Sequence, residues 1–278
     1  MPELVLPFEP APIEGSLEDL FNGGLFAVLP EEFQAACREK PFLLQYLHML
    51  PLEEIGLPKY YPKLSRSMGD EKNPNLIYPT QGGVFVHIYP RPTEERHLYI
   101  PIEPNLTINM DAIMPRIEEA LLEFTEEFAA LTTSEEKAKG FIRALDKICR
   151  VKGNGGNWGG GMSELTVGGQ KISASDNGAK GRGGLLATLR QGLAGIKEKL
   201  PFLAKGEKIE LTPEELAAVK YLVVREKVGV GLLDPLLHDI YVEDISCSGV
   251  GQIFVEHKIL KSLVTAVSIP TMEELDDF

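Results

Sequence analysis

Twelve of the 27 glycines fall between Gly153 and Gly184, inside the run GNGGNWGGGMSELTVGGQKISASDNGAKGRGG. No other feature limits the fold so sharply. Glycine loses more conformational freedom on ordering than any other residue, and this run carries few apolar side chains whose burial would offset the loss. It shows neither a helical nor a strand hydrophobic period. It is therefore expected to be a flexible linker, spanning 153–208 with one short helix over 185–200, that separates two folded units.

Charge divides the chain at the same places. Residues 1–150 carry a net −10, residues 151–208 a net +5 and residues 209–278 a net −8, for −13 in all. An acidic chain is repelled at long range by nucleic-acid phosphates and anionic lipid, which argues against a general binder of either. Only the basic stretch Arg182, Arg190, Lys197, Lys199, Lys205 and Lys208 could reverse that locally, and it reads as part of the solvated linker. Cys37, Cys149 and Cys247 are odd in number and far apart, so no disulfide framework or CxxC metal clip is present. The N-terminus lacks a basic region followed by an apolar run, and no stretch approaches the ~18 apolar residues a membrane span requires. The expectation is a soluble, cytoplasmic protein.

The first module, 1–152, opens Pro-rich and then reads as helix from Pro30 to Leu50, broken near Pro41. Residues 83–89 and 97–102 read as two strands of a hairpin around Pro90-Arg91-Pro92-Thr93. Ile113, Ile117, Leu121, Phe124, Phe128 and Leu131 recur at spacings of three and four, with Glu118, Glu119, Glu123, Glu126 and Glu127 mostly opposite, which predicts an amphipathic helix. Thr133-Ser134-Glu135-Glu136 is a capping box that starts another, with Phe141, Leu145 and Ile148 on its apolar face. After the linker, Thr212-Pro213-Glu214-Glu215 is a complete helix start, and the helix runs to about Lys227. Strands are expected at 243–247, 253–255 and 263–267. A last capping box at Thr271 opens a helix of fewer than two turns, too short to gain much stability, so the second module, 209–278, is expected to be cut short. The fold class is α+β: a helical module with a β-hairpin, and a truncated α/β domain.

Motifs with catalytic meaning are scarce. Gly178-Ala179-Lys180-Gly181-Arg182-Gly183-Gly184 has no Ser or Thr after its lysine and no strand before it, so it does not form a phosphate loop. The five histidines show no i,i+4 pairing. His238, Cys247 and His257 could meet in space, but a structural histidine beside an ordinary thiol is the favoured reading. Glu243 and Asp244 stand together at a loop–strand junction, where solvated surface or a subunit contact is the favoured role. No Gly-x-Ser-x-Gly elbow occurs.

The string from Tyr221 to Phe278 nevertheless resembles the N-terminal domain of the secretion-superfamily ATPases, in particular the archaeal type II/IV secretion and archaellum motor branch. The residues that carry the resemblance are Tyr221 through Arg225, Gly229-Val230-Gly231, Leu233-Asp234-Pro235-Leu236 and His238-Asp239. They continue with Val242 through Cys247, Gly249-Val250-Gly251, Phe254-Val255, His257 and Glu273 through Asp276. A looser likeness covers Val86 through Tyr89, Tyr99 and Glu103 through Leu106. Ile240 stands where the family usually has proline, Ala266 where it has asparagine, and one residue is missing between Gly251 and Ile253. The Walker motifs and the whole RecA-like motor domain would lie downstream. The resemblance implies a hexameric ATPase that drives pilus, archaellum or pseudopilus assembly at the cytoplasmic membrane. ATP and Mg would be used by the full-length family member but held by no residue of this segment. It also implies a polytopic membrane platform protein as partner, no nucleic-acid partner, and a place in the cytoplasm peripheral to the membrane. Catalytic, cofactor and metal residues are expected to be absent from this segment. Asp234, Pro235, His238, Asp239, Glu243 and Asp244 are the candidate ring or domain interface. The rival expectation is a stand-alone adaptor that docks on such a ring and has no motor domain.

Overall fold

The computed structural model describes residues 3–152, 164–167, 170–173 and 208–277. The strands, in chain order, are β1 (Glu3–Leu4), β2 (Lys59–Tyr60), β3 (Leu76–Pro79), β4 (Phe85–Tyr89), β5 (Leu98–Ile102) and β6 (Cys149–Val151). They continue as β7 (Glu164–Val167), β8 (Gln170–Ser173), β9 (Ile209–Leu211), β10 (Val242–Ser246), β11 (Gly251–His257) and β12 (Lys261–Ile269). The fold is mixed α+β, in two compact units: Met1–Thr107 with Gly231–Phe278, and Ile108–Val230.

The first unit is built on one mixed sheet in the order β10-β11-β12-β5-β4-β3-β2, with β1 paired to β12. The expected hairpin is present, with Phe85 opposite Ile102 and Tyr89 opposite Leu98. Every residue of β4 and β5 is buried, as expected of central strands covered on both faces. Against one face pack the helices Leu17–Asn22, Gly24–Val28, Glu31–Glu39 and Pro41–Met49, which bring Phe33, Leu43, Leu44 and Leu47 onto Ile77, Phe85, Ile100 and Ile102. The period-2 alternation sends Leu76, Tyr78, Val86, Ile88 and Tyr99 to the other face, with Ile253, Val255, Leu263 and Val267, and Leu64 and Leu236 cover them. The break at Pro41 falls where the sequence places it, because proline can begin a helix but has no N–H with which to continue one.

The second unit groups the helices Met110–Leu121, Thr125–Ala129, Ser134–Ile148 and Pro213–Lys227 around Ile117, Leu121, Phe128, Phe141, Leu145, Val219 and Val223. The two capping boxes predicted in this unit form. Thr133 Oγ1 accepts from the Glu136 N–H at 3.1 Å, and Thr212 Oγ1 accepts from the Glu215 N–H at 3.2 Å. The glutamates answer by accepting from the Thr133 N–H at 3.1 Å and the Thr212 N–H at 2.8 Å.

The units divide the chain differently from the 1–152, 153–208 and 209–278 partition that charge suggests. Residues 231–278 complete the sheet begun by residues 59–102, because β12 runs parallel to β5, with Val264 beside Leu98 and Thr265 beside Tyr99. Backbone hydrogen bonding, which charge composition does not report, decides that pairing. The ends of the glycine-rich region also meet, since β6 pairs parallel with β9, with Cys149 beside Ile209 and Val151 beside Leu211. Both flanks of that region therefore belong to one unit, whereas a tether between two modules was expected. Within it, β7 and β8 form an antiparallel pair. The expected helix over 185–200 lies outside the described residues, as does most of the linker.

Candidate functional site

A buried polar cluster of the first unit lies around Asp239, just after the short helix Asp234–Leu237. Tyr78 on β3 donates its hydroxyl to Asp239 Oδ2 at 2.6 Å, and Tyr99 on β5 donates to the same oxygen at 2.9 Å. The Tyr241 N–H donates to Oδ1 at 2.9 Å. His257 closes the cluster from the end of β11. Its Nδ1 accepts from the backbone N–H groups of Ile259 at 3.2 Å and Leu260 at 3.0 Å, which fixes the proton on Nε2. That Nε2–H then donates to the Tyr78 oxygen at 3.2 Å. The chain of donors runs from His257 through Tyr78 to Asp239, and every hydrogen has a place.

Electrostatics track the same geometry. Burial pushes the Asp239 carboxyl above its ordinary value, outweighing the hydrogen bonds from Tyr78, Tyr241 and Tyr99 and the attraction of Lys258. Burial also lowers His257 to about 4, with Lys258 adding to the effect, so its imidazole is neutral at physiological pH. A neutral ring is what two backbone donors into Nδ1 require. Tyr78, Tyr99, Asp239 and His257 are all buried. A general base must reach the proton it takes from a substrate. Here both Asp239 oxygens are already occupied inside the protein, so the cluster acts as a clamp that ties residues 239–260 to β3 and β5.

A second buried histidine is built the same way. The side chain of Asn75 donates to the carbonyl of Ile55 at 2.7 Å and to that of Gly56 at 3.3 Å, which leaves its Oδ1 as the acceptor. His87 Nε2–H donates to that oxygen at 2.8 Å, and His87 Nδ1 accepts from the Tyr46 hydroxyl at 2.8 Å. Full burial lowers His87 to about 3.

The six candidate interface residues separate into two groups. Asp234, Pro235 and Asp239 are buried, and His238 is half-buried with Nδ1 2.8 Å from the Asp234 carbonyl oxygen and 3.3 Å from Asp234 Oδ2. Glu243 and Asp244 are exposed on β10, the end strand of the sheet. His238, Cys247 and His257 do not form a shared site. Cys247 is exposed with its Sγ 3.3 Å from the Gly249 carbonyl oxygen, and each histidine has the separate partners given above. Among the described residues no group of three or more His, Cys, Asp or Glu is arranged to hold a metal ion, and none of their helices is long and apolar enough to cross a membrane.

Tyr78 went unrecognised in the sequence. Its signal is short: Leu76-Ile77-Tyr78 is an apolar run closed by Pro79, four residues that periodicity alone cannot assign to strand or helix.

No protein-family model matches the chain. An uncharacterized protein of Methanocaldococcus jannaschii is 27% identical over 252 residues, which cover 89% of this chain and 38% of that protein. A second uncharacterized protein of the same organism is 34% identical over 84 residues, 30% of this chain and 33% of that protein. The matched part of the chain thus spans well under half the length of either relative.

Proposed function

We propose that this chain is the N-terminal region of a hexameric type II/IV secretion-system ATPase, a motor that powers assembly of a pilus, archaellum or secretion pseudopilus. The segment supplies a tier of the ring and a surface for docking partners. ATP and Mg are bound by a motor domain elsewhere in the full-length protein, whose partners are further copies of itself and a polytopic membrane platform protein.

The supporting observation is one of proportion. Nearly the whole chain, 89%, is accounted for by 38% of a longer archaeal protein, which leaves room in such a protein for a nucleotide-binding domain. The structure is compatible with this reading. Residues 231–276, most of the stretch that resembles the ATPases, fold into β10, β11, β12 and their flanking helices, and they leave Glu243 and Asp244 exposed.

The test is to read the gene in frame beyond the codon for Phe278 and to express the 278 residues both alone and joined to the downstream coding region. The continuation should encode G-x-x-x-x-G-K-[ST], and the longer protein should hydrolyse ATP with Mg and form a ring of six by native mass spectrometry. ATP turnover by the 278 residues alone would overturn the proposal. A stop codon directly after Phe278 would replace it with a stand-alone adaptor.

A further inference from the structure

The sheet of the first unit presents one end strand whose chemistry calls for a particular neighbour. Among the described residues β10 pairs with β11 and with no other strand, so one row of its backbone N–H and C=O groups has no ladder partner. The register sets Asp244 directly opposite Glu256 on β11, and both side chains are exposed. Directly opposed positions bring Cβ atoms to roughly 5 Å, where like charges destabilise the pair. Among the described residues neither carboxylate has an ion-pair partner. The hydrogen bond to Asp244 comes from the Ser246 hydroxyl at 3.3 Å. The Arg96 guanidinium sits over the ring of Phe254, 5.4 Å from its centroid.

The other face of the same strand is different. Val242 and Ile245 are half-buried and pack with Val255 and Leu263. An incoming strand would therefore meet carboxylates on one face and aliphatic side chains on the other. Glu243 falls where the ladder register shifts between Val242 and Asp244, and such a bulge, like edge charge in general, discourages indiscriminate pairing. A second copy of β10 would bring Glu243 and Asp244 against their own counterparts and worsen the repulsion. A strand with cations on one face would relieve it.

We propose that β10 is a docking edge for an extended segment of another protein that alternates lysine or arginine with aliphatic residues. The segment adds to the sheet as the next strand and places its cations beside Asp244 and Glu256. Backbone hydrogen bonds supply affinity and the charge pattern supplies selectivity. The inference rests on the sheet edge and is independent of the motor reading, since it is tested on the 278-residue chain without nucleotide.

The probe is a fluorescein-labelled peptide of alternating lysine and valine, compared with one of alternating glutamate and valine. Anisotropy should show binding of the lysine peptide only, weakened at least tenfold by the double substitution Asp244→Lys with Glu256→Lys. Hydrogen exchange should show new protection at the amides of residues 242–246. Thermal melts establish that the double variant is folded, and Asp244→Asn with Glu256→Gln replaces it if the reversal unfolds the sheet. Failure of the lysine peptide to bind, equal binding of both peptides, unchanged affinity in the folded variant, or protection confined to another strand would each overturn the proposal. So would self-association of the chain that protects β10 without peptide.

Discussion

The hydroxyl of Tyr78 donates to Asp239 Oδ2 at 2.6 Å across 161 residues of sequence. This bond, with its companion from Tyr99, fastens the returning C-terminal segment onto strands laid down by the first hundred residues. The clamp contains a carboxylate with no cation in its hydrogen-bond shell, held by two phenols and one backbone N–H.

Removing the hydroxyl of Tyr78 strands two groups at once. In Tyr78→Phe, Asp239 loses a donor and His257 Nε2–H loses its acceptor, both in buried surroundings. The expected loss is about 2–3 kcal/mol of unfolding free energy. Tyr99→Phe removes one donor of three and should cost about 1–2 kcal/mol. Urea titration at pH 7 checks both, and equal costs would show that the His257 bond contributes nothing.

Acid should weaken the fold well before the carboxylates as a class protonate. His257 and His87 have folded values of about 4 and about 3 against 6.5 for free imidazole. A depressed value contributes stability that is complete above the unfolded pKa and is lost as pH falls through the folded one. That window runs from pH 6.5 down to 4 for His257 and down to 3 for His87. Asp239 acts in the opposite sense: its raised value gives a contribution complete below 3.8 and lost as pH rises through the folded value. Unfolding free energy should therefore decline between pH 6.5 and 4, and His87→Gln, which keeps an acceptor for Tyr46 and a donor for Asn75, should make the decline shallower. An unchanged slope in that variant would remove His87 from the account.

Gly69 faces a backbone carbonyl at close range. A Cβ built there would lie 2.5 Å from the Ile259 oxygen, in the turn between β11 and β12, and neither backbone can yield without moving the other. Gly69→Ala should cost about 1–3 kcal/mol. Gly24 has nothing within 4 Å of the same position, so Gly24→Ala should fall within about 0.5 kcal/mol of the parent. Chemical denaturation of the pair separates close approach from the general effect of replacing glycine.

The cap at Thr212 gives a local test in the second unit. Thr212→Ala removes the acceptor for the Glu215 N–H at the start of the helix Pro213–Lys227 and should cost about 1 kcal/mol. Thr212→Ser keeps the oxygen and should stay close to the parent. Hydrogen exchange at the first helical turn reads the difference directly.

Much of the local structure was legible from the sequence. The boundaries at Pro41, Thr133 and Thr212, and the hairpin around Pro90, arise from residue types whose preferences act within four or five positions. The pairing of β12 with β5 was not legible, because two buried apolar strands carry no mark of which neighbour each will choose. Charge misplaced the boundaries for a related reason: Asp and Glu report which surfaces meet water and say nothing of which strand edges meet each other. The candidate site was half legible. Asp239 stood out beside His238, but no short-range signal joined it to Tyr78 and Tyr99, which donate to it from two strands.

By itself the sequence determined the class of structure and the position of nearly every long helix, since capping, helix breaking and hydrophobic period are short-range effects. It also singled out Glu243 and Asp244 as outward-facing carboxylates. Only the tertiary structure decided that residues 231–278 complete the sheet of residues 59–102, that the two ends of the glycine-rich region lie side by side, and that Asp244 opposes Glu256. Those outcomes depend on strand register, and register is fixed only when a whole sheet satisfies its backbone hydrogen bonds and buries both faces together.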